Sequence, residues 1–163
     1  MKNYKTEIKW AIIFAVMTLL WMLMEKLGGY HDKNIAQHAF ITNFIMIPAI
    51  TIYVLALKEK KNNDYNGQMT YKQGLKSGFI LSMMITLLGP ITQSITSLVI
   101  TPDYFKNVIA LTVEKGEMTK EAAEQYFTLK TYIVEGLMFA PIMGIFTTLI
   151  RMLFSCIKFT PDL

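Results

Sequence analysis

The chain has 163 residues, of which 53% are hydrophobic and 17% are charged, and its formal net charge is +4. Soluble domains carry about a quarter charged residues, and a chain this short has too little interior to hide so much apolar surface from water. The composition excludes an ordinary soluble domain, and the scattered lysines argue against a nucleic-acid partner. The single cysteine, Cys156, excludes an internal disulfide and a cysteine-based metal site.

Two apolar segments occupy the first third of the chain. The first is predicted to span a membrane at about residues 8–27; lysines precede it and no small-residue cleavage site follows, which is typical of an uncleaved signal anchor. Two glycines then predict a turn. The second span is expected at about 35–57, with a kink at Pro48. The polar stretch 58–67 ends in Asn-Gly and predicts a loop.

The third span is the strongest membrane signal, because no charged residue occurs from Ser77 to Pro102. We place this span at about 77–100 and expect a kink at its Gly-Pro pair. Residues 102–130 predict an outer hairpin of two amphipathic helices, capped by Thr101 and Thr119. The fourth span is predicted at about 131–157, continuous with the helix before it.

These elements predict an all-α fold: one integral membrane domain, a four-helix bundle with the extramembrane hairpin between spans three and four. Cytoplasmic segments of membrane proteins are rich in lysine and arginine. With the N-terminus inside, six cations lie outside and ten inside, the inner ones being Lys2, Lys5, Lys9, Lys58, Lys60, Lys61, Lys72, Lys76, Arg151 and Lys158. Both termini are therefore expected on the cytoplasmic side.

Small residues recur at every fourth position on two of the spans. The third span carries Gly74, Gly78 and Ser82 on one face, and the fourth carries Gly136, Ala140 and Gly144. Small side chains let helix backbones approach closely in lipid. The pattern predicts either close packing of these two spans within one molecule or a face for self-association.

Glu135 is the best candidate for a functional charge within a span, since ionisable groups in membranes are costly and often mark ion or substrate paths. In an antiparallel pair of spans its depth matches the polar end of the third span, where Gln93 and Ser94 lie. A carboxylate among such groups can bind a cation or carry a proton. The alternative is a carboxylate near the membrane surface that extends into water.

The two histidines, His31 and His38, flank the start of the second span. A zinc site needs further ligands at a fixed spacing, and none is evident. We therefore expect solvated loop histidines, with no bound metal and no cofactor. No catalytic motif stands out either, so the chain is not expected to be an enzyme.

Two stretches of the sequence resemble a known family: MTYKQGLKSGFILS at residues 69–82, and TPDYF at 101–105 followed by GEMTKEAAEQYFTLKTYI at 116–133. With four spans in this order, the chain resembles the small bacterial membrane proteins grouped as domain of unknown function 4199. The resemblance covers nearly the whole chain. It implies a protein of the bacterial inner membrane, and it implies no activity.

Three functions are compatible with the sequence. We favour a non-enzymatic scaffold or accessory subunit, with the lipid bilayer and either a second copy or another membrane protein as partners. The alternative is a small transporter or channel that uses Glu135 and the polar end of the third span, because kinked spans often line a path. A lipid-processing enzyme that uses Glu135 or the histidines is the third hypothesis.

Overall fold

The computed structural model describes residues 4–156, and every regular element in that range is helical. Four helical segments are long and apolar enough to cross a membrane: Lys5–Leu27, Ile35–Tyr65, Tyr71–Ile100 and Leu129–Leu153. The predicted all-helical fold with four potential spans is confirmed. Lys2, Lys158 and the predicted end of the fourth span at 157 lie outside the described residues.

The first half of the chain forms two long helical segments that run back alongside each other. Helix α1 (Lys5–Leu27) leads through a turn at 28–34 into α2 (Ile35–Ile41), a 3-10 segment (Thr42–Ile45) and α3 (Met46–Tyr65). Pro48 lies in the first turn of α3, where a missing N–H is tolerated. The disturbance expected at this proline therefore takes the form of the 3-10 segment directly before α3.

Helix α3 extends further than the sequence predicts, because residues 58–65 are helical. The prediction of a loop at 58–67 is therefore wrong over most of its length. Lys60 forms ion pairs instead of facing water: its Nζ lies 3.0 Å from Glu7 Oε2 on α1, and it also pairs with Asp64 one helical turn later. These pairs stabilise the helix beyond the apolar block.

Helix α4 (Tyr71–Ile95) begins with a capping box. The N–H of Gln73 donates to Thr70 Oγ1, and the N–H of Thr70 donates to the side-chain oxygen of Gln73. The helix continues through Pro90 and passes into a π-helical segment, Thr96–Ile100. The sequence of the third span therefore forms one long helical segment with a definite start.

Two short helices separate the third and fourth apolar segments: α5 (Tyr104–Glu114) and α6 (Lys120–Tyr126). The last helix, α7 (Leu129–Cys156), starts after a break at residues 127–128. The prediction that the fourth span continues the preceding helix is wrong. The reason is that a new helix starts there: Thr128 Oγ1 accepts a hydrogen bond of 3.2 Å from the N–H of Thr131 in the first turn of α7.

One of the two predicted helix caps is confirmed. Thr119 accepts a hydrogen bond from the N–H of Ala122 and so caps α6. The predicted cap at Thr101 is wrong, because its hydroxyl donates backwards to the carbonyl of Thr96 at 3.2 Å. Helix α5 consequently begins three residues later than its predicted cap, at Tyr104.

Helix α4 lies centrally and packs against both α7 and α1. The buried apolar cluster contains Tyr53, Leu81 and Ile85. Large apolar side chains also cover the outside of the bundle; Leu87, for example, is 73% exposed. Because such an outer surface fits hydrocarbon better than water, the four apolar helices indicate a multi-pass membrane protein.

The bundle has two ends, which we name by the elements they carry. The α5–α6 end holds the turn at 28–34 and the two short helices. The N-terminal end holds the start of α1, the turn between α3 and α4, and the last turns of α7. Contacts between Glu7 and Ser77, at 2.7 Å, and between Gly74 and Met152 define the N-terminal end.

Candidate metal centre at the α5–α6 end

The turn between α1 and α2 folds the chain tightly back on itself. Gly29 has a φ of +76°, a left-handed conformation that favours glycine. The N–H of Tyr30 donates to the carbonyl of Glu25 at 3.0 Å, and the N–H of Asn34 donates to the carbonyl of Gly29 at 2.8 Å. The last turn of α1 and the helix α2 consequently lie close together at this end of the bundle.

Glu25 lies at the centre of this end and is only 2% exposed. Its Oε2 atom lies 3.1 Å from His31 Nε2 and 3.3 Å from His38 Nδ1. The other oxygen, Oε1, accepts a hydrogen bond from Trp21 Nε1, one helical turn earlier on α1. Both oxygens of the buried carboxylate are thus engaged, one by the indole and the other by the two imidazoles.

The two histidine rings pack edge to face, with centroids 4.9 Å apart. Tyr104 of α5 packs against both rings, at centroid distances of 5.3 Å from His31 and 5.1 Å from His38. Among the described residues, the Nδ1 atoms of both histidines are buried without a hydrogen-bond partner. A buried polar atom without a partner costs about 1–3 kcal/mol, so a species that binds His38 Nδ1, the atom that faces Glu25, stabilises the cluster.

Helix α5 covers the cluster and ties it to α7. Asn107 Nδ2 donates hydrogen bonds of 2.9 Å to the carbonyl of His31 and to Asp32 Oδ1. The hydroxyl groups of Tyr104 and Tyr132 lie 3.4 Å apart. Burial raises the pKa of Tyr104, the hydrogen bond with Tyr132 lowers it, and the negative charge of Glu25 raises it further. Tyr104 therefore presents a neutral phenol to the cluster at ordinary pH.

Glu25, His31 and His38 offer three ligand atoms that all lie within 4.8 Å of one another. Two imidazoles and one carboxylate form a donor set of three-ligand zinc sites. With metal–ligand distances of about 2.0–2.1 Å, the edge of a tetrahedron measures about 3.3 Å. The distances from Glu25 Oε2 to the ring nitrogens are 3.1 and 3.3 Å. Two of the three edges therefore match a tetrahedral ion, and the ligand nitrogens of the two histidines lie within 4.8 Å of each other.

Comparison with known proteins identifies the family of the chain. The family model described as "Protein of unknown function (DUF4199)" matches residues 9–156. The chain belongs to the DUF4199 family. This match confirms the resemblance noted for the sequence. No curated protein and no solved structure matches the chain significantly. DUF4199 membership brings no activity with it.

The three residues predicted to form an ion path belong to separate hydrogen-bond systems. Glu135, on α7, accepts a hydrogen bond of 2.9 Å from the hydroxyl of Tyr126 on α6. On α4, Gln93 Nε2 donates to Ser97 Oγ at 3.1 Å, and Ser94 donates to a backbone carbonyl of its own helix at 2.7 Å. The hydrogen bond with Glu135 raises the pKa of Tyr126, and the negative charge of Glu135 raises it further.

Three of the predicted small residues lie where α4 and α7 approach most closely. A Cβ atom added at Gly78 would lie 2.7 Å from Thr148 Cβ, and one added at Gly144 would lie 2.8 Å from Ser82 Cβ. Distances this short do not occur between real side chains. The two helices can approach this closely only because glycine stands at these two positions.

The other small residues are less constrained. A Cβ atom added at Gly74 would lie 3.0 Å from Met152 Cγ, on a flexible side chain. Gly136 has open space around it, since no atom lies within 4 Å of an added Cβ. Ala140 lines an apolar cleft between α3 and α7. The small-residue face of α7 therefore contacts α4 in its second half and leaves Gly136 free of contacts.

The expectation of solvated loop histidines is wrong, because His31 is 3% exposed and the side chain of His38 is 16% exposed. The reason is that the turn folds back onto α1 while Tyr104 covers both rings. Glu25, the central residue of the cluster, was not among the predicted site residues. The sequence does contain a signal for it: a carboxylate and two histidines flank one short turn between two apolar segments.

Proposed function

We propose that this protein is a zinc-binding membrane protein in which Glu25, His31 and His38 hold one divalent ion. The observation that carries the proposal is the buried carboxylate oxygen that faces two ring nitrogens at 3.1 and 3.3 Å. A nitrogen lone pair and a carboxylate oxygen repel each other unless a proton or a cation lies between them. His38 Nδ1 lies 3.3 Å from the same oxygen that faces His31 Nε2, so one cation between the three atoms would satisfy both contacts at once.

The groups around the cluster support a preorganised site. Trp21 fixes the orientation of the carboxylate, and Asn107 fixes the turn that carries His31. Outer groups of this kind orient metal ligands and contribute about 10–100-fold in affinity. His31 Nδ1 has no such partner among the described residues, so we expect a weaker site than a fully supported one.

An ion bound there would have a structural role. It would join the last turn of α1, the turn that follows and α2 into one unit, on which α5 rests through Tyr104 and Asn107. The positions of α5 and α6 would then depend on the ion. This suits the scaffold or accessory subunit predicted from the sequence, in which a partner recognises these short helices. The transporter that uses Glu135 stays a prediction.

We also propose a location in the bacterial inner membrane with both termini in the cytoplasm. The support is the distribution of cations, ten against six, between the two sides of the predicted topology. Reporter fusions at residue 163 and in the segment between α5 and α6 would test it. A cytoplasmic signal from the fusion at α5–α6 would reverse the topology.

The zinc proposal is tested by measuring metal in the full-length protein, purified in mild detergent with a tag free of histidine. We expect about one Zn²⁺ per chain after growth with zinc. Reconstitution with Co²⁺ should give the visible spectrum of a tetrahedral site. Both signals should disappear in His31→Gln and in His38→Gln, which remove the only two histidines of the chain, and should weaken strongly in Glu25→Gln.

Two variants serve as matched controls. Cys156→Ser removes the one thiol of the chain, and Glu135→Gln removes a carboxylate that pairs with Tyr126 instead. Both should bind metal as the wild type does. Wild-type protein that binds neither Zn²⁺ nor Co²⁺ in detergent or in nanodiscs would show that the cluster holds only protons. Unchanged metal content in His31→Gln would place the ion elsewhere.

A further inference from the structure

An apolar cleft of about 460 Å³ lies between α3 and α7, away from the cluster of Glu25, His31 and His38. Its walls include Ile50 and Val54 on one side and Met143 and Phe146 on the other. This volume lies in the range of about 300–1,000 Å³ that is usual for sites of small ligands. Such a cleft on the side of a membrane bundle is open to a lipid chain.

Arg151 lies at one end of this otherwise apolar cleft. An arginine guanidinium carries a fixed positive charge in proteins. Among the described residues, its Nε atom is buried without a hydrogen-bond partner, and no carboxylate forms an ion pair with it. A cation within a membrane segment requires an anion or contact with water. Among the described residues that line the apolar cleft, Arg151 is the one charged side chain.

The length of the cleft matches one leaflet of a bilayer. On one side the cleft runs from Ile45, the last residue of the 3-10 segment, to Val54 on α3, and on α7 it runs from Ala140 to Arg151. At 1.5 Å per residue these stretches measure about 14 and 17 Å. The hydrocarbon core of a bilayer is about 30 Å thick, so the cleft spans about half of it. Arg151 lies at the N-terminal end of the bundle, beside Met152, which packs against α4.

We propose that this cleft binds an anionic phospholipid, with one acyl chain between α3 and α7 and the phosphate on Arg151. A guanidinium and a phosphate form charge-assisted hydrogen bonds, and an acidic head group keeps the net negative charge that the choline of a zwitterionic head group cancels. Basic pockets between membrane helices recognise acidic lipids in this way. A site of this kind would hold α3 and α7 together where they make few direct contacts.

The test is native mass spectrometry of the full-length protein in detergent, with dioleoyl phosphatidylglycerol or dioleoyl phosphatidylcholine added. We expect the acidic lipid to bind the wild type at least about tenfold more tightly than the zwitterionic one. Arg151→Gln should lose this preference and Arg151→Lys should keep part of it. Ala49→Trp fills the cleft and should weaken both lipids. Inorganic phosphate at millimolar concentration should not displace the bound lipid.

The matched control is Lys58→Gln, which removes an exposed cation at the same end of the bundle, outside the cleft. It should bind the acidic lipid as the wild type does. Equal binding by Arg151→Gln would overturn the proposal. If the wild type is a dimer and Ala49→Trp is a monomer, the cleft is occupied by a second copy of the chain. Stronger lipid binding in Asp162→Asn would show that the Asp162 carboxylate competes with the lipid phosphate for Arg151, which would assign Arg151 to the C-terminal segment of this chain. Either of these two results would also overturn it.

Discussion

Replacing Gly78 by alanine tests whether α4 and α7 pack within one molecule. The added Cβ would lie 2.7 Å from Thr148 Cβ, an atom attached directly to the backbone of α7. Since a rotamer change cannot move that atom, the two helices must separate by several tenths of an ångström. Gly136→Ala is the matched control, because an added Cβ there meets no atom within 4 Å.

The magnitude follows from two opposing effects. Gly-to-Ala substitution inside a helix gains about 1 kcal/mol in helix propensity, and this gain is common to both variants. Overpacking a close contact costs about 1–3 kcal/mol and applies only at Gly78. The variants should therefore differ by about 1–3 kcal/mol in free energy of unfolding. At about 2–4 °C per kcal/mol for a chain of this size, Gly78→Ala should unfold about 2–12 °C below Gly136→Ala.

The assay is thermal unfolding in mild detergent, followed by the fluorescence of Trp10 and Trp21, together with the molar mass of each variant. Gly74→Ala should fall between the other two, because the flexible side chain of Met152 can move aside. If Gly78→Ala is as stable as Gly136→Ala, the close approach of α4 and α7 is not real. If it instead loses only a dimer, the small-residue face serves self-association.

Three further predictions concern charge and capping. Lys60→Met should destabilise the fold by about 3–5 kcal/mol, since it leaves the buried Glu7 without its cation, and adding Glu7→Leu should restore part of that loss in denaturant titrations. Removing the charge in Glu135→Gln should lower the raised pKa of Tyr126 toward its ordinary value of 10.0. In the wild type the contact between Tyr126 and Glu135 is intact below pH 10.0 and is lost as the pH rises through the raised pKa. The tyrosinate absorbance of Tyr126, taken as the difference from Tyr126→Phe, should therefore appear at lower pH in Glu135→Gln than in the wild type. Thr119→Ala should cost about 1 kcal/mol by loss of the cap on α6, measured as faster hydrogen exchange there.

The four apolar helices could be predicted from the sequence because transfer into hydrocarbon depends on the composition of a window of about 20 residues. The prediction was wrong where the local structure depends on contacts with residues far away in the sequence. Residues 58–65 are polar, and local composition indicates a loop. They are helical because α1 supplies Glu7 to Lys60, a contact that no local pattern contains.

The same reason explains why the candidate site could not be predicted. A glutamate near the end of an apolar segment is expected to reach water, and the burial of Glu25 depends on side chains that α2 and α5 bring to it. Tyr104 and Asn107 come from α5, and their positions depend on the tertiary fold. The residue types were visible in the sequence, whereas their convergence required the structure.

Helix α1 carries one buried carboxylate at each end of the bundle, and the difference between the two surroundings supports an ion at the α5–α6 end. Glu7 is 2% exposed and is compensated by Lys60, a permanent cation, and by the hydroxyl of Ser77. Glu25 is equally buried, but its partners are Trp21 and two histidines. A buried carboxylate needs positive charge nearby, and among the described residues that contact Glu25 only a proton or a bound ion can supply it.

The two ends should therefore respond differently to removal of metal. At the N-terminal end the positive charge belongs to the chain itself, so a chelator has nothing to remove. At the α5–α6 end the turn at 28–34 and α5 would lose the ion that we propose to join them. Hydrogen exchange after chelation should accelerate in α2 and α5 and stay unchanged around Glu7 and Lys60. If hydrogen exchange accelerates equally at both ends, or at neither, the charge of Glu25 is not compensated by a removable metal ion.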